Sequence, residues 1–389
     1  MQQSYDVIVL GAGNAGFAPA GMAREAGKSV LVIEGRDFGG TCALRGCVPK
    51  KVLVAAGETL NAINDAAEHK IDAKFNAIDW PALMMRKQTF VEGVPDMFED
   101  SLTGRGIDTA HGQAKFTGRN EIQVNGETVR AERIVIATGS KPRQLPIPGF
   151  EHAIDSDAIL ELSQRPDRLV FIGAGVIGLE FAHVFARAGT DVIILEVADK
   201  PLAMLDQDIV AALSEESARI GIGIRTGVMT KSIEKLEGVA GNGFKVTYED
   251  GGADEHQAIR ALTIEADVVA NGAGRVAAVA DLDLDAGGID HDGPVIKLNQ
   301  HLQSTSNPAV YVAGDANAGS GPQLSPVATY EGRIVGNNIV GGNTPQSADY
   351  LTIPSCVFTT PAAASVGYSA QEAEAAGLEF EVKFNDLKD

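Results

Sequence analysis

Two copies of one short pattern, 162 residues apart, constrain this chain more than any other feature of its sequence. Asp6 to Leu10 is a run rich in β-branched residues. It ends at Gly11-Ala12-Gly13-Asn14-Ala15-Gly16, followed by a helical stretch to Gly27 and a second strand, Ser29 to Glu34. The same succession returns at Leu169 to Ile172, Gly173-Ala174-Gly175-Val176-Ile177-Gly178, a helix through Ala188, and Asp191 to Glu196. Strand, glycine turn, helix, strand and terminal acid are the parts of a dinucleotide-binding unit. In each copy the first glycine (Gly11, Gly173) permits a tight turn and the second (Gly13, Gly175) lets backbone reach a pyrophosphate. The third (Gly16, Gly178) lets helix and strand pack closely, while the helix N-terminus supplies free N–H groups. Glu34 and Glu196, at matching strand ends, can each accept a ribose hydroxyl. A lone glycine turn fits many α/β proteins; two turns with helix and acid in register point to two separate nucleotide sites.

The units continue alike. Ile122 to Val129 reads as a hairpin closed by Asn125-Gly126, and Phe244 to Gly252 as one closed by an Asp-Gly turn. Buried strands follow at Arg133 to Gly139 and at Asp267 to Gly272, and a first-unit-like strand returns at Ala309 to Asp315. The second unit is therefore expected inside the first, with the proline-rich stretch Pro142 to Pro148 as linker. The expected division is 1–149 with 281–345, then 150–280, then 346–389. A length of 389 residues suits two or three cores. No apolar run approaches the ~20 residues of a membrane span. The net charge of −20 argues against a nucleic-acid partner, which requires clustered Lys and Arg. No basic leader with an apolar core opens the sequence, so a cytoplasmic location is expected.

Three cysteines do not make a disulfide framework, but Cys42 and Cys47 form a close pair just after the first strand-end acid. In an ideal helix, residues five apart have Cα atoms roughly 8.7 Å apart. A disulfide wants about 4.4–6.8 Å. A bridge therefore demands a distorted turn, which Gly46 allows, and strain makes such a bridge easier to reduce. Lys50, Lys51 and a helix N-terminus favour thiolate there. The sharp reading is a redox-active disulfide. Two structural thiols, or half a zinc site without a second Cys/His cluster, are the alternatives. Cys356 reads as a core residue, and no metal site is expected.

These residues together resemble the pyridine nucleotide-disulfide oxidoreductase family, flavoproteins that include glutathione reductase, dihydrolipoamide dehydrogenase and mercuric reductase. The resemblance rests on both glycine fingerprints, Gly39-Gly40-Thr41-Cys42 with Cys47-Val48-Pro49-Lys50-Lys51, Ala137-Thr138-Gly139, Gly272-Ala273-Gly274-Arg275 and Ala313-Gly314-Asp315, in family order. It implies an α/β fold with two Rossmann-like, three-layer domains and the beginning of an α+β dimerisation domain. It further implies an FAD-dependent enzyme that moves electrons between NAD(P)H and a disulfide or dithiol substrate such as lipoamide or glutathione disulfide, working as a homodimer. FAD contacts are implied at Gly11, Gly13, Gly16, Glu34, Gly40, Thr41, Ala114, Thr138, Gly139, Asp315 and Ser325, and nicotinamide-nucleotide contacts at Gly173, Gly175, Gly178, Glu196 and Gly274. Cys42 would exchange with substrate and Cys47 would face the flavin. Glu180 would pair with Lys50 or Lys51, between which the sequence does not choose. Ser325 reads as an N-cap with Pro326 as the first helical residue, so that a helix N-terminus faces the flavin; a well-capped surface helix is the plainer reading. Glu196 favours NADH over NADPH, because a carboxylate repels a 2′-phosphate and no arginine follows it.

The sequence departs from the family pattern in three places. Arg45 adds a cation between the cysteines, to lower a thiol pKa, to select an acidic substrate, or to point to solvent. Val276-Ala277-Ala278 replaces the usual Pro-Asn after Arg275, leaving a turn undefined. Tyr350 to Asp389 resembles only the start of the dimerisation domain, which ordinarily carries a His-Glu acid/base pair. No His-Pro occurs among the seven histidines. His183 reads as a helix residue, and His152, His291 and His301 as residues of connecting segments without acidic partners at telling spacing. FAD binding with slow disulfide turnover is the resulting expectation. A thiol-independent NADH-dependent flavoprotein and a truncated, non-catalytic flavin-binding fragment are the competing readings.

Overall fold

A computed structural model describes residues 1–236, 243–250, 260–341 and 344–385. The first glycine fingerprint joins β1 (Ser4–Leu10) to α1 (Asn14–Glu25) and β2 (Val30–Glu34). Then come α2 (Gly40–Leu44), α3 (Cys47–Asp65), α4 (Trp80–Gln88), α5 (Val94–Thr103), β3 (Asp108–His111), β4 (Lys115–Gly118), β5 (Glu121–Val124) and β6 (Glu127–Ile136). The sheet order is β3-β2-β1-β6-β5-β4. The expected Asn-Gly turn closes β5 onto β6, with both turn residues at positive φ as a two-residue hairpin requires. The other end of β6 lies parallel to β1.

After β7 (Ser140–Pro142) and the short helix α6 (Ser156–Ile159), the second fingerprint joins β8 (Arg168–Ile172), α7 (Val176–Arg187) and β9 (Asp191–Leu195). They are followed by α8 (Gln207–Arg219), β10 (Gly223–Arg225), β11 (Val228–Leu236), β12 (Gly243–Asp250), β13 (Arg260–Ala266) and β14 (Val268–Asn271). The strands β10-β9-β8-β14 form a parallel sheet, and β11-β12-β13 an antiparallel one. Strands β12 and β13 pair as a hairpin, while Gly251, on which the Asp-Gly turn depends, lies outside the described residues. The chain then returns. β15 (Arg275–Ala277) pairs with β7, the small hairpin β16 (His291–Asp292) and β17 (Val295–Ile296) follows, and β18 (Val310–Val312) lies parallel to β6. The segment after Arg275 is thus a strand, and the missing Pro-Asn leaves no irregular turn.

Helix α9 (Ser325–Val340) packs on α1 so closely that a Cβ on Gly332 would stand 2.5 Å from the Ala15 carbonyl oxygen. The chain continues through β19 (Ser355–Val357), β20 (Ala363–Ser365) and α10 (Ala370–Ala375). Apolar residues of α3 and α4, including Leu53, Val54, Leu60 and Trp80, share one core with Leu179, Val184 and Phe185 of α7. This core places the helix that follows the cysteine pair against the second fingerprint helix. No described helix is long and apolar enough to cross a membrane.

Candidate active site

The two fingerprints repeat each other atom for atom. Gly11 (φ +107°) and Gly173 (φ +102°) adopt backbone that L side chains avoid, and a Cβ on either would collide with a carbonyl oxygen, of Ala137 or of Gly272. Gly16 and Gly178 face the carbonyls of Gly11 and Gly173 with no room for a side chain. Gly13 and Gly175 stand just before α1 and α7 as their N-caps, without a side chain over the exposed N–H groups. Glu34 Oε2 accepts the Ala12 N–H at 2.8 Å, as Glu196 Oε2 accepts that of Ala174 at 2.6 Å. Their second oxygens accept from Arg36 N and Ala198 N, both at 2.8 Å. Each carboxylate is therefore fixed beside its glycine turn with lone pairs to spare.

The cysteine loop abuts the first turn. A Cβ on Gly40 (φ +68°) would stand 2.6 Å from Gly13 Cα, so Gly40 must be glycine for the loop to approach the first turn. Thr41 is exposed at the start of α2, next to Cys42. Arg45 and Gly46 interrupt the helix, and Cys47 opens α3. That break is the distortion the spacing demanded. Cys42 and Cys47 stand as free thiols, half-buried and hydrogen-bonded to each other. The Cys47 hydrogen bond, with those of Ser325 and Asn14 and the charge of Lys51, overcomes burial and holds Cys42 at about 6. Cys47 is pushed up, chiefly by donating to Cys42, so the pair shares one proton.

The structure chooses between the lysines. Lys50 Nζ lies 2.7 Å from Glu180 Oε2, both side chains largely buried. Lys51 Nζ lies 4.1 Å from the centre of the Phe358 ring. Phe358, which the sequence did not single out, also donates its backbone N–H to Glu180 Oε1 at 2.8 Å.

The remaining positions gather at the strand ends. Thr138 Oγ1 is buried without a partner beside Gly139, whose carbonyl accepts from Ala278 N. Asp315 Oδ2 accepts from Ser140 Oγ at 2.8 Å, and Arg275 Nε binds that same hydroxyl at 2.9 Å. Asn14 was legible only as a polar residue inside the first fingerprint, and Ser140, just past Gly139, was not singled out. Gly274 (φ +94°) accepts from Arg143 N, anchoring the linker. Ala114 follows β3, half-buried against the core of the antiparallel strands. The orphaned Thr138 hydroxyl, the two cradles that a Cβ would fill and the uncapped helix N-termini fit two dinucleotides.

Four expectations change. Ser325 is the first residue of α9 and caps nothing: Leu324 is the N-cap, and the Ser325 hydroxyl turns to Cys42 Sγ at 3.0 Å instead. Arg45 neither serves the thiols nor faces solvent, because its guanidinium sits 3.0 Å from Asp37 and 3.7 Å from Asp157. Cys356 is not in the core; it is half-buried on the short strand β19, where burial and the Glu180 charge push its thiol up. His291 does have an acidic neighbour, Asp285 at 3.6 Å, and His111 pairs with Glu99 at 2.9 Å. His183 is buried on α7, and burial and the Arg187 charge hold it down at about 4.

The family described as pyridine nucleotide-disulphide oxidoreductase matches residues 5–332. The chain is 31% identical to a dihydrolipoyl dehydrogenase of Chlamydia muridarum, covering 98% of this chain and 80% of that one. It is 31% identical to a glutathione reductase of Burkholderia cepacia, covering 95% and 78%. Among solved structures, the HOCl-induced flavoprotein disulfide reductase RclA from Escherichia coli superposes with a TM-score of 0.81 at 27% identity, covering 96% and 80%.

Proposed function

The chain belongs to the pyridine nucleotide-disulphide oxidoreductase family, and from that premise we propose that it reduces a small-molecule or protein-bound disulfide with electrons from NADH through its Cys42–Cys47 pair. The observation that carries this reading is the joint at α3. Its first residue is one of the paired thiols, and Lys50, one turn later, is locked to Glu180 of the second fingerprint helix. One helix thus ties the thiols to both nucleotide cradles.

When bound, FAD supplies a two-electron carrier between the nicotinamide hydride and the thiol pair. Residues 1–149 with 281–345 hold it: Gly11, Gly13 and Gly16 at the pyrophosphate, Glu34 at the ribose, and Gly40, Thr41, Ala114, Thr138, Gly139, Asp315 and Ser325 along its length. Residues 150–280 hold the nicotinamide nucleotide through Gly173, Gly175, Gly178 and Gly274, with Glu196 accepting the ribose hydroxyls. Two backbone N–H groups fix the Glu196 carboxylate at the strand end, which favours NADH because a 2′-phosphate there meets a negative charge. Lys50, paired with Glu180, is the cation assigned to the flavin's reactive edge.

The thiolate of Cys42 attacks one sulfur of the substrate disulfide, forming a mixed disulfide. The other substrate half leaves as thiolate and takes a proton from solvent. Cys47, giving up its proton to solvent, attacks the Cys42 sulfur, closing the Cys42–Cys47 disulfide and releasing the second half. Two electrons have passed from the cysteines to the substrate, and NADH replaces them. We further place the protein in the cytoplasm, where a chain of this length with three cysteines has no need of a structural disulfide framework. It works there as a homodimer, a reading supported by exposed apolar side chains in residues 346–385.

Lipoamide and glutathione disulfide, each assayed with NADH and with NADPH at saturating FAD, test the reading. NADH oxidation that depends on one of the disulfides, is faster than with NADPH, and falls to background in Cys42→Ser is the expected result. Undiminished turnover by Cys42→Ser would assign the chain to thiol-independent flavoproteins instead.

A further inference from the structure

We propose that Ser325 is a catalytic residue of thiol exchange, donating its hydroxyl hydrogen to Cys42 Sγ to hold that sulfur as thiolate, with Asn14 aiming the hydroxyl and itself bonding the same sulfur. The proposal rests on the reading of Cys42 as the exchange thiol.

The geometry is a chain of three side chains from three elements. Asn14 Nδ2 on α1 donates to Ser325 Oγ on α9, and Ser325 Oγ lies 3.0 Å from Cys42 Sγ on α2. A hydroxyl has one hydrogen and two lone pairs. The Asn14 amide, acting as donor, fills a lone pair, so the single hydrogen is left for the thiol pair: it reaches Cys42 Sγ at 3.0 Å, with Cys47 as a lesser partner. A serine at the start of a helix ordinarily spends its hydroxyl on the helix's own N–H groups. Ser325 does not, since α9 has no side-chain cap. The arrangement is held by packing rather than by a flexible loop. A Cβ on Gly332 of α9 would stand 2.5 Å from the Ala15 carbonyl, and one on Gly314, after β18, would stand 2.7 Å from Ala15 Cβ and 3.2 Å from Ala328 Cβ of α9, so α1, α9 and the end of β18 are packed tightly together near the three side chains.

A hydrogen bond to the charged form favours that form. The groups that act on Cys42 are Cys47 and Lys51 from α3, Ser325 from α9 and Asn14 from α1, against burial. Ser325 acts without any change in its own protonation: its hydroxyl stays intact through the exchange and stabilises charge only. The proton for the departing substrate thiolate comes from solvent.

The test is the pH profile of iodoacetamide alkylation at Cys42. It is measured on the full chain, reduced and freed of reductant under argon, with and without FAD, and resolved from Cys47 and Cys356 by peptide mass mapping. In Ser325→Ala the Cys42 midpoint should rise by about one pH unit, with about tenfold slower alkylation below the wild-type midpoint. Asn14→Ala should move it part of the way, and Ser325→Thr, which keeps a hydroxyl, should restore it. An unchanged Cys42 midpoint in both Ser325→Ala and Asn14→Ala, or a shift at Cys47 in its place, overturns the proposal. Asn14→Ala leaves α9 untouched and so reports even if Ser325→Ala disturbs the helix start. The readout needs neither substrate nor turnover, so its failure is distinct from failure of the disulfide reductase assay.

Discussion

Lys50 carries a buried charge and its neighbour Lys51 an exposed one, and a helix's rotation of about 100° per residue is the reason. Lys50 lies on the face of Leu53, Val54 and Gly57, at i+3, i+4 and i+7, which packs against α7 and so meets Glu180. Lys51 projects one step round, over the Phe358 ring. Replacing Lys50 by Met leaves Glu180 charged in a largely dry site with only the Phe358 N–H, a loss of about 3–5 kcal/mol. Lys51→Met forfeits a cation–π contact worth about 0.5–1 kcal/mol. Urea unfolding of the two variants should therefore rank Lys50→Met well below Lys51→Met, and adding Glu180→Leu to Lys50→Met should recover part of the loss. Equal midpoints would remove the distinction. The phase of α3 was available in the sequence, since the apolar residues after the cysteines mark the buried face. The partners of Arg45 were not: Asp157 belongs to an element 112 residues further on, which only the tertiary packing brings within 3.7 Å.

Helix α7 illustrates how an element's environment decides what its residues do. His183 Nε2 meets Ser217 Oγ of α8 at 3.0 Å, and that hydroxyl already donates to Leu213 O. The imidazole must therefore donate at Nε2, leaving Nδ1 to accept from Arg187 and from Thr360 N. A proton on Nδ1 would face two donors, so His183 stays neutral and is no acid/base group. Its ordinary pKa of 6.5 is held down to about 4 in the fold. The unfolded chain thus takes up the proton first as pH falls. The stabilisation is complete above about pH 6.5 and is lost between there and pH 4, about 3 kcal/mol in all. In urea titrations from pH 7.5 to 4.5, His183→Asn should lose less stability on acidification than the parent protein. Parallel pH profiles would sink this account. The start of α9 shows the same influence with the opposite lesson for sequence reading. Leu324-Ser325-Pro326 has the local signature of a capped helix, but a sulfur and an amide from two other elements took the hydroxyl that the rule assigns to the helix backbone.

At the scale of the molecule, what was legible was whatever a short stretch encodes by itself. The two fingerprints, the Asn-Gly hairpin and the return of the chain at 309–315 each depend on a few adjacent residues. The contact of α3 with α7 and the pairing of β15 with β7 depend on packing across more than a hundred residues, where periodicity carries no signal. The same scale governs association. Val366, Tyr368, Leu378, Phe380, Val382 and Phe384 are all exposed, a surplus of apolar surface in the last described segment that the homodimer reading assigns to a second copy of this chain. Two such copies each carry a net charge of −20, so their approach is opposed by long-range repulsion. That repulsion reaches about 30 Å at 0.01 M salt and about 8 Å at 0.15 M, whereas apolar burial does not weaken with salt. Sedimentation equilibrium should accordingly give a mass near 40.6 kDa in dilute, low-salt solution. The mass should rise toward twice that value as salt and protein concentration increase. The charged replacements Val366→Glu and Phe384→Glu together should suppress the rise while leaving FAD binding intact. A mass that stays at the single-chain value across the salt series would show that this surface does not pair with itself.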